Sequence, residues 1–368
     1  MEFTLLSEDD RPIYEDARAR LGAGDFSQSW EWGDLKSLTL WHPIRLADRE
    51  GGEVRLVATL LLRRLPLPLL RWSLLYCPRG PICDPGDYSA LSAFVAEVAA
   101  IGRRRGAIMR KLEPDLEESA AASEFLRAQG LRPARRRGEF EGFSPRHVAI
   151  LQLSDRLDDT FARMRPKGRY NVRLADRHGV TVREGTAEDL PAFYELLART
   201  AKRQRFVIRE FKYVRAVYRA VAERGGGRLL LAHREGPLWA RALIARAPRR
   251  CSYVIGASAD EQRQHMAAHL VQWHAIAWAH SVGARVYDFL CIGNPERPGC
   301  LQGLWAFKRQ FGATAFSHAG EWDLPLLLPA YLLWAVFELP LSLARGLLGK
   351  QLRRLRAGRR PVLAENPG

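Results

Sequence analysis

Gly303-Leu304-Trp305-Ala306-Phe307-Lys308-Arg309-Gln310-Phe311-Gly312 is the stretch on which the reading of this 368-residue chain turns. It predicts a helix in which two phenylalanines flank a single lysine. The chain holds 57 basic residues, of which only seven are lysine, so arginine is its usual source of positive charge. A lysine at 308 suggests a compact ammonium able to approach a reacting oxygen, where a planar guanidinium fork would be too broad. The plainer reading is a solvated lysine on a helix face. The surrounding sequence bears on the choice.

A hydrophobic fraction of 47% is that of a globular chain, and the length suggests two domains at roughly 150 residues each. The five cysteines, Cys77, Cys83, Cys251, Cys291 and Cys300, are odd in number and include no CxxC pair. They read as reduced thiols of a cytosolic compartment and exclude a disulfide frame or a zinc ribbon. The acidic, polar N-terminus carries no apolar core of a signal peptide. A net charge of +16 favours anionic partners. The same excess could equally be compositional habit, because the arginines are scattered in triplets such as 103–105 and 135–137.

Along the first half, a polar helix-like opening leads to a turn and short helix over Phe26 to Lys36, capped near Ser27 or Ser29. Strands are expected at Val54 to Leu62, Leu74 to Gly80 and Ala107 to Leu112, and helices at Tyr88 to Arg105 and Ser119 to Gly130. The second half repeats this grammar. A strand at His147 to Leu153 precedes a helix capped by Ser154, and a basic helix covers Arg169 to His178. A strand follows at Val180 to Arg183. Thr186 and Asp189 form a capping pair for a helix reaching Arg205, and another helix covers about 210–224. Strands at Arg228 to His233, Trp239 to Arg246 and Cys251 to Ala257 lead to a helix at 263–282 and a strand at Arg285 to Ile292. Hairpin-like strands with one late crossover in each half make an α+β fold with mixed, largely antiparallel sheets. The tail differs. Leu324 to Ala344 is apolar with one charge, Glu338, and three prolines, and a basic run follows from Lys350 to Arg360. That order fits a segment lying in the interface of an anionic membrane, or a helix docked on the core.

No nucleophile elbow, HExxH, P-loop or GxGxxG is present. Gly225-Gly226-Gly227 precedes a strand and so is a loop. His265 and His269 lack an accompanying acid motif and read as surface or core polar residues, with no metal site expected. Four clusters remain: Trp30 to Lys36; Pro166 to Arg173; Arg203 to Arg209 with Tyr213; and Tyr253 to Ser258 with Tyr287-Asp288-Phe289 and the Lys308 helix. Each could be core aromatics or a solvated face.

Taken together and in this order, they resemble the FemAB-type aminoacyltransferases, which build the interpeptide bridges of peptidoglycan. The resemblance runs from about Gln28 to Gly312. It is carried by Arg169 to Val180, Thr200 to Phe206, Tyr253 to Ser258, Tyr287 to Gly293 and Gly303 to Gly312, with Gln28 to Lys36 and Pro78 to Pro81 in the first half. It implies two tandem GNAT-like domains facing a shared cleft, expected at residues 1–147 and 148–314. Residues 315–368 would return to the first domain and end in an apolar and basic helical tail. The implied activity is transfer of an amino acid from aminoacyl-tRNA to an amine of a lipid-linked or UDP-linked muropeptide.

By the same resemblance, Lys36 and Arg209 bind the acceptor's diphosphate. Tyr213 and Tyr253 line its groove, with Arg205 and Asp288 as further substrate contacts. Asp115 lies near the attacking amine, and Lys308 meets the aminoacyl ester. Lys167, Arg169 and Arg173 are expected to touch tRNA or phosphate. An activated ester needs positioning and oxyanion stabilisation and no nucleophilic side chain, so neither metal nor cofactor is expected beyond the tRNA co-substrate. The expected setting is a monomer at the inner face of the cytoplasmic membrane, touching anionic lipid through 324–360. The family's helical tRNA-holding arm is not evident here. That leaves open an N-acyltransferase using acyl-CoA or acyl carrier protein on an envelope polysaccharide or lipid, or an inactive scaffold.

Overall fold

The structure, a computed structural model, describes residues 2–334 apart from 23, 66–70, 85, 135–142, 205–206, 237, 260–262, 297–298 and 300. Its strands are β1 (Glu2–Leu6), β2 (His42–Glu50), β3 (Glu53–Arg64), β4 (Ser73–Pro78), β5 (Ile82–Cys83), β6 (Ala107–Glu113), β7 (Arg132–Pro133), β8 (His147–Gln152), β9 (Thr181–Glu184), β10 (Arg228–His233), β11 (Leu238–Arg246), β12 (Arg250–Ser258), β13 (Val286–Cys291), β14 (Thr314–Ser317) and β15 (Trp322–Pro325). The α-helices are α1 (Arg11–Leu21), α2 (Trp30–Ser37), α3 (Tyr88–Arg104), α4 (Ala120–Ala128), α5 (Leu157–Ala162), α6 (Pro166–Arg177), α7 (Leu190–Gln204), α8 (Phe211–Tyr218), α9 (Ala267–Ser281) and α10 (Gln302–Lys308).

Two mixed sheets result, in the orders β1-β2-β3-β4-β6-β15-β7 and β14-β8-β13-β12-β11-β10-β9, with β5 on β3. The halves share one plan. Four antiparallel strands (β1 to β4, β9 to β12) lead through a helix (α3, α9) to a parallel partner (β6, β13). Beyond that partner the two sheets take strands from elsewhere in the chain. β8 precedes its own meander, whereas β15 comes from the C-terminal end and inserts between β6 and β7. This is the expected α+β architecture of two GNAT-like units.

Local chemistry explains the elements. β3 is a near-continuous apolar run because both of its faces are covered, with Leu56, Val57, Ala58 and Leu60 fully buried. Ser29 Oγ accepts from Trp32 N at 3.1 Å and starts α2. The capping box at Thr186 and Asp189 is present, and the αL residue Gly312 (φ 86°) stops the Lys308 segment.

Several expectations need correction. The polar opening contains an edge strand, β1, before its helix. β2 was not anticipated, because it buries Arg45 and Asp48 among its apolar residues. Ser154 is not a helix cap: Arg156 takes that position, and Ser154 N donates to Thr160 Oγ1 at 2.9 Å. The chain leaves the second sheet only after Ser317, since β14 pairs with β8 and spans the expected boundary at 314/315. Leu324 and Pro325 belong to β15 of the first sheet, so the apolar tail begins as a strand. Residues 335–368 of the tail, with Glu338 and its basic run, lie outside the described residues. Among the described residues, no helix is long and apolar enough to cross a membrane.

Candidate active site

The two parallel pairs differ, and the difference makes a site. β4 and β6 stay paired from Ser73↔Ala107 to Pro78↔Glu113. β12 and β13 part after Ser252↔Asp288, although β12 continues to Ser258. The two strands therefore diverge between Tyr253 to Ser258 on one side and Phe289 to Cys291 on the other. A crevice beyond the carboxyl ends of parallel strands is a recurrent ligand position.

Lys308 holds β13 in this shape. Its Nζ donates to the carbonyls of Phe289 (2.6 Å), Leu290 (3.2 Å) and Cys291 (2.6 Å). Three consecutive carbonyls can converge on one point only if the strand curls. The curl is visible at Leu290, whose φ is +57°, in the left-handed region that a branched residue enters at a cost. Asp288 holds the other side of the turn, its Oδ1 accepting from Leu290 N at 2.7 Å. Burial brings the Lys308 ammonium down to about 8, with Cys291 and Asp288 opposing the shift. Burial pushes Asp288 up to about 6 against the pull of Arg250. Lys308, expected to meet the ester, is 2% exposed in this structure, and its three donors are all taken by backbone.

Behind the turn, Phe289, Phe307, Phe311 and His269 form one aromatic stack. His269, brought down to about 4 by burial, is neutral and lies within hydrogen-bond distance of Asn171 and Gln310. Gly168 abuts Gln310 so closely that a Cβ would lie 2.3 Å from its carbonyl oxygen. The basic helix α6 is thereby locked to the Lys308 segment.

Tyr253 sits on the β12 side of the crevice, its phenol pushed to about 12 by burial. Its ring folds back over Gly256, where an added Cβ would lie 1.4 Å from the Tyr253 hydroxyl. Tyr287, on β13, donates to Gln272 Oε1 at 3.0 Å beneath it. Gly256→Ala is expected to evict Tyr253 and lower kcat/KM by about 100-fold, the scale of a 1 Å misplacement. The fold should persist by circular dichroism, because the clash is with a side chain.

A second cluster spans the seam between the domains. Lys36, at the end of α2, reaches the Tyr213 hydroxyl of α8 at 3.4 Å and lies over Trp32. Arg209 lies over the Tyr213 ring, 5.6 Å from its centroid. Three expected binding residues thus meet from two domains, two of them cationic and partly or fully exposed, which suits a polyanion. Arg205 lies outside the described residues.

Asp115, expected near the attacking amine, stands in an ion pair. Both its oxygens are taken by Arg250, at 3.1 and 3.2 Å, across the same seam. His318 Nδ1 is 3.4 Å away and Asp25 is 4.0 Å from Arg250. Burial raises the Asp115 pKa, but Arg250 and His318 outweigh it and hold the group below its usual value. A bidentate, ionised carboxylate is a tie between domains and a poor base for an attacking amine. On α6, Lys167 and Arg173 are exposed. Arg169 is partly committed to structure, donating to the Ala162 carbonyl at 2.7 Å. Arg169, Tyr170 and Arg173 line a shallow depression together with Pro166, Asp176 and Arg177. The sequence reading missed Arg250, one of fifty arginines, and Gln272 and His318, which carry no motif. Among the described residues no cluster fit for a metal ion is found.

Residues 162–309 match the family described as an acetyltransferase (GNAT) domain. The lipid II:glycine glycyltransferase of Staphylococcus aureus (strain USA300) is 27% identical, the alignment covering 90% of this chain and 95% of that protein. The crystal structure of FemX superposes with a TM-score of 0.82 at 25% identity, covering 90% of this chain and 99% of that one. L-PGS from Bacillus licheniformis, at 12% identity and a TM-score of 0.52, shares the fold. The chain is an acyltransferase of the GNAT-related fold and a homologue of the FemX-type transferases.

Proposed function

We propose that the protein transfers an amino acid from aminoacyl-tRNA to an amine of a peptidoglycan precursor, lipid-linked or UDP-linked, at the inner face of the cytoplasmic membrane. The observation that carries this reading is the Lys36–Tyr213–Arg209 cluster at the seam of a chain similar along 90% of its length to a lipid II:glycine glycyltransferase. A diphosphate held there by the two cations would place the acceptor's peptide along the groove toward Tyr253.

The chemistry follows from the site. A neutral amine attacks the ester carbonyl, a C–N bond forms, and the ester C–O bond breaks to release the ribose hydroxyl. Asp115 is engaged by Arg250, so the amine's proton passes to the leaving oxygen. Lys308 contributes in two ways. It shapes the turn beside the crevice, and it can present positive charge to the developing oxyanion by exchanging its longest bond, to Leu290, for the substrate. No metal or redox cofactor is required. Exposed Lys167 and Arg173 on α6 would meet the phosphates of the donor.

A second reading, N-acyl transfer from acyl-CoA or acyl carrier protein to an envelope polysaccharide or lipid, is favoured by the GNAT-domain match over the crevice. One experiment separates the two. Purified protein, charged tRNA and a UDP-linked muropeptide should yield a product heavier by one aminoacyl residue, abolished by prior RNase treatment. Product that survives RNase, or forms from acyl-CoA instead, replaces the first reading with the second.

A further inference from the structure

We propose that one end of the first sheet is a docking surface for an anionic lipid bilayer. The strand register defines this end. His42, at the start of β2, pairs with Leu62 near the end of β3, and Arg64 pairs with Ser73 at the start of β4. Ser73 pairs with Ala107 at the start of β6, and Met109 pairs with Pro325 at the end of β15. Everything that enters or leaves these five strands here is brought to one edge. That includes 38–41 before β2, Arg63 to Leu65 after β3, Arg71 and Trp72 before β4, Arg103 to Arg105 before β6, and the helical stretch 328–334 after β15.

Side-chain packing confirms the proximity. Leu65 N donates to the Trp72 carbonyl at 2.9 Å, and Ser73 Oγ donates to the Arg105 carbonyl at 3.0 Å. The stretch after β15 is anchored by Leu326 N and Leu327 N on the Ile108 carbonyl. Its inner face packs Ala330, Tyr331 and Trp334 with Leu65, Ile108, Met109 and Trp72. Its outer face is apolar and exposed: Leu327, Leu328, Leu332 and Leu333 are 45, 51, 55 and 51% exposed. Leu38 and Leu40, on the same edge, are 70 and 65% exposed. Scattered exposed leucines need no explanation, but the four at 327–333 share one short stretch and form a patch, and Leu38 and Leu40 stand farther along the same edge.

Charge identifies the occupant. Arg64, Arg71, Arg103, Arg104 and Arg105 are exposed around these leucines. Of these, Arg104 is paired with Glu97 at 2.8 Å. A second protein copy would bring the same positive ring against itself. A bilayer with anionic headgroups satisfies both features at once, since leucines enter the acyl boundary while arginines and tryptophans sit at headgroup level. Lys36 lies two residues before Leu38, so this edge also faces the seam cluster toward the membrane plane. That orientation rests on the proposed acceptor being lipid-linked; the docking itself does not.

The test is sedimentation of the full chain with vesicles, without substrate, beside transfer to a water-soluble UDP-linked acceptor. Binding should be strong to phosphatidylglycerol-containing vesicles, weak to pure phosphatidylcholine vesicles, and weakened by salt. Leu328→Glu with Leu332→Glu should lower vesicle affinity at least tenfold. Arg103→Ser and Arg105→Ser should each lower it about fivefold. Both sets should leave transfer to the soluble acceptor unchanged. The proposal is overturned if the leucine pair leaves vesicle binding intact, or if binding ignores headgroup charge. It also falls if the leucine pair converts a dimer to a monomer by analytical ultracentrifugation without affecting vesicles, which would make the edge an interface between copies. Failure of transfer with intact vesicle binding would count against the proposed function alone.

Discussion

Lys308→Met should lower kcat by about 100- to 1000-fold, the loss seen when a single oxyanion-stabilising donor is removed, with a smaller change in acceptor KM. Methionine keeps the length of the side chain but supplies no donor. The carbonyls of Phe289, Leu290 and Cys291 then lose their common partner, and each buried unmet acceptor costs about 1–3 kcal/mol. The β13 curl should relax and the crevice narrow. Lys308→Arg should recover little, because a planar fork cannot meet three carbonyls converging on one point.

The pH profile sharpens this result. Lys308 titrates at about 8 in the folded protein, so activity that needs its charge falls as pH rises through 8. Stability moves the other way. The folded protein gives up this proton before the unfolded chain does, so between about pH 8 and the ordinary lysine value the lysine's burial cost is relieved and stability rises with pH. Asp288, raised to about 6, supplies the acid limb: once protonated, it holds Leu290 N less firmly. A kcat/KM profile with limbs near 6 and 8, the upper one absent in Lys308→Arg, is the expected signature. A flat profile from pH 6 to 9 would remove both residues from the mechanism.

The second large effect is on stability. Arg250→Met should destabilise the protein by about 3–5 kcal/mol, the scale for removing one member of a buried ion pair. Asp115 would lose both hydrogen bonds to Arg250 while its side chain stays only 14% exposed, with Asp25 and Asp288 no longer offset. The sign with pH follows. The Asp115 carboxyl is held below its usual value, so its contribution is present above the unfolded value and is lost as pH falls through the folded one. The variant should lose most relative to wild type near neutrality and least in acid, read from melting temperatures across pH. Asp115→Asn combined with Arg250→Met should cost less than the sum of the two single changes, since the two side chains share one interaction. Strict additivity would show that the pair does not join the domains.

Much of the fold was legible from local pattern, as in the apolar run of β3 and the helical periodicity of α3. What escaped has physical causes. β1 is a five-residue, mostly exposed edge strand, too short to stand out from the polar residues that follow it, and β2 buries Arg45 and Asp48, which breaks the apolar alternation. The insertion of β15 between β6 and β7 is a long-range pairing that no local pattern encodes. At the site, Lys36 was readable because it sits in a recognisable motif and Arg209 and Tyr213 only by alignment with the resembled family, and the structure brings the three together. Asp115 and Lys308 were readable as residues but not as contacts. The partner of the Asp115 carboxylate, Arg250, lies 135 positions away in sequence. A lysine's role depends on which carbonyls curl toward it.

The proposed reaction joins an amino acid to a peptidoglycan precursor. Mass spectrometry of muropeptides from cells with and without the protein tests it most directly. Some muropeptides should carry the mass of one additional amino-acid residue only when the protein is present, and Lys308→Met cells should match the deletion. Identical muropeptide masses in all three strains would contradict it.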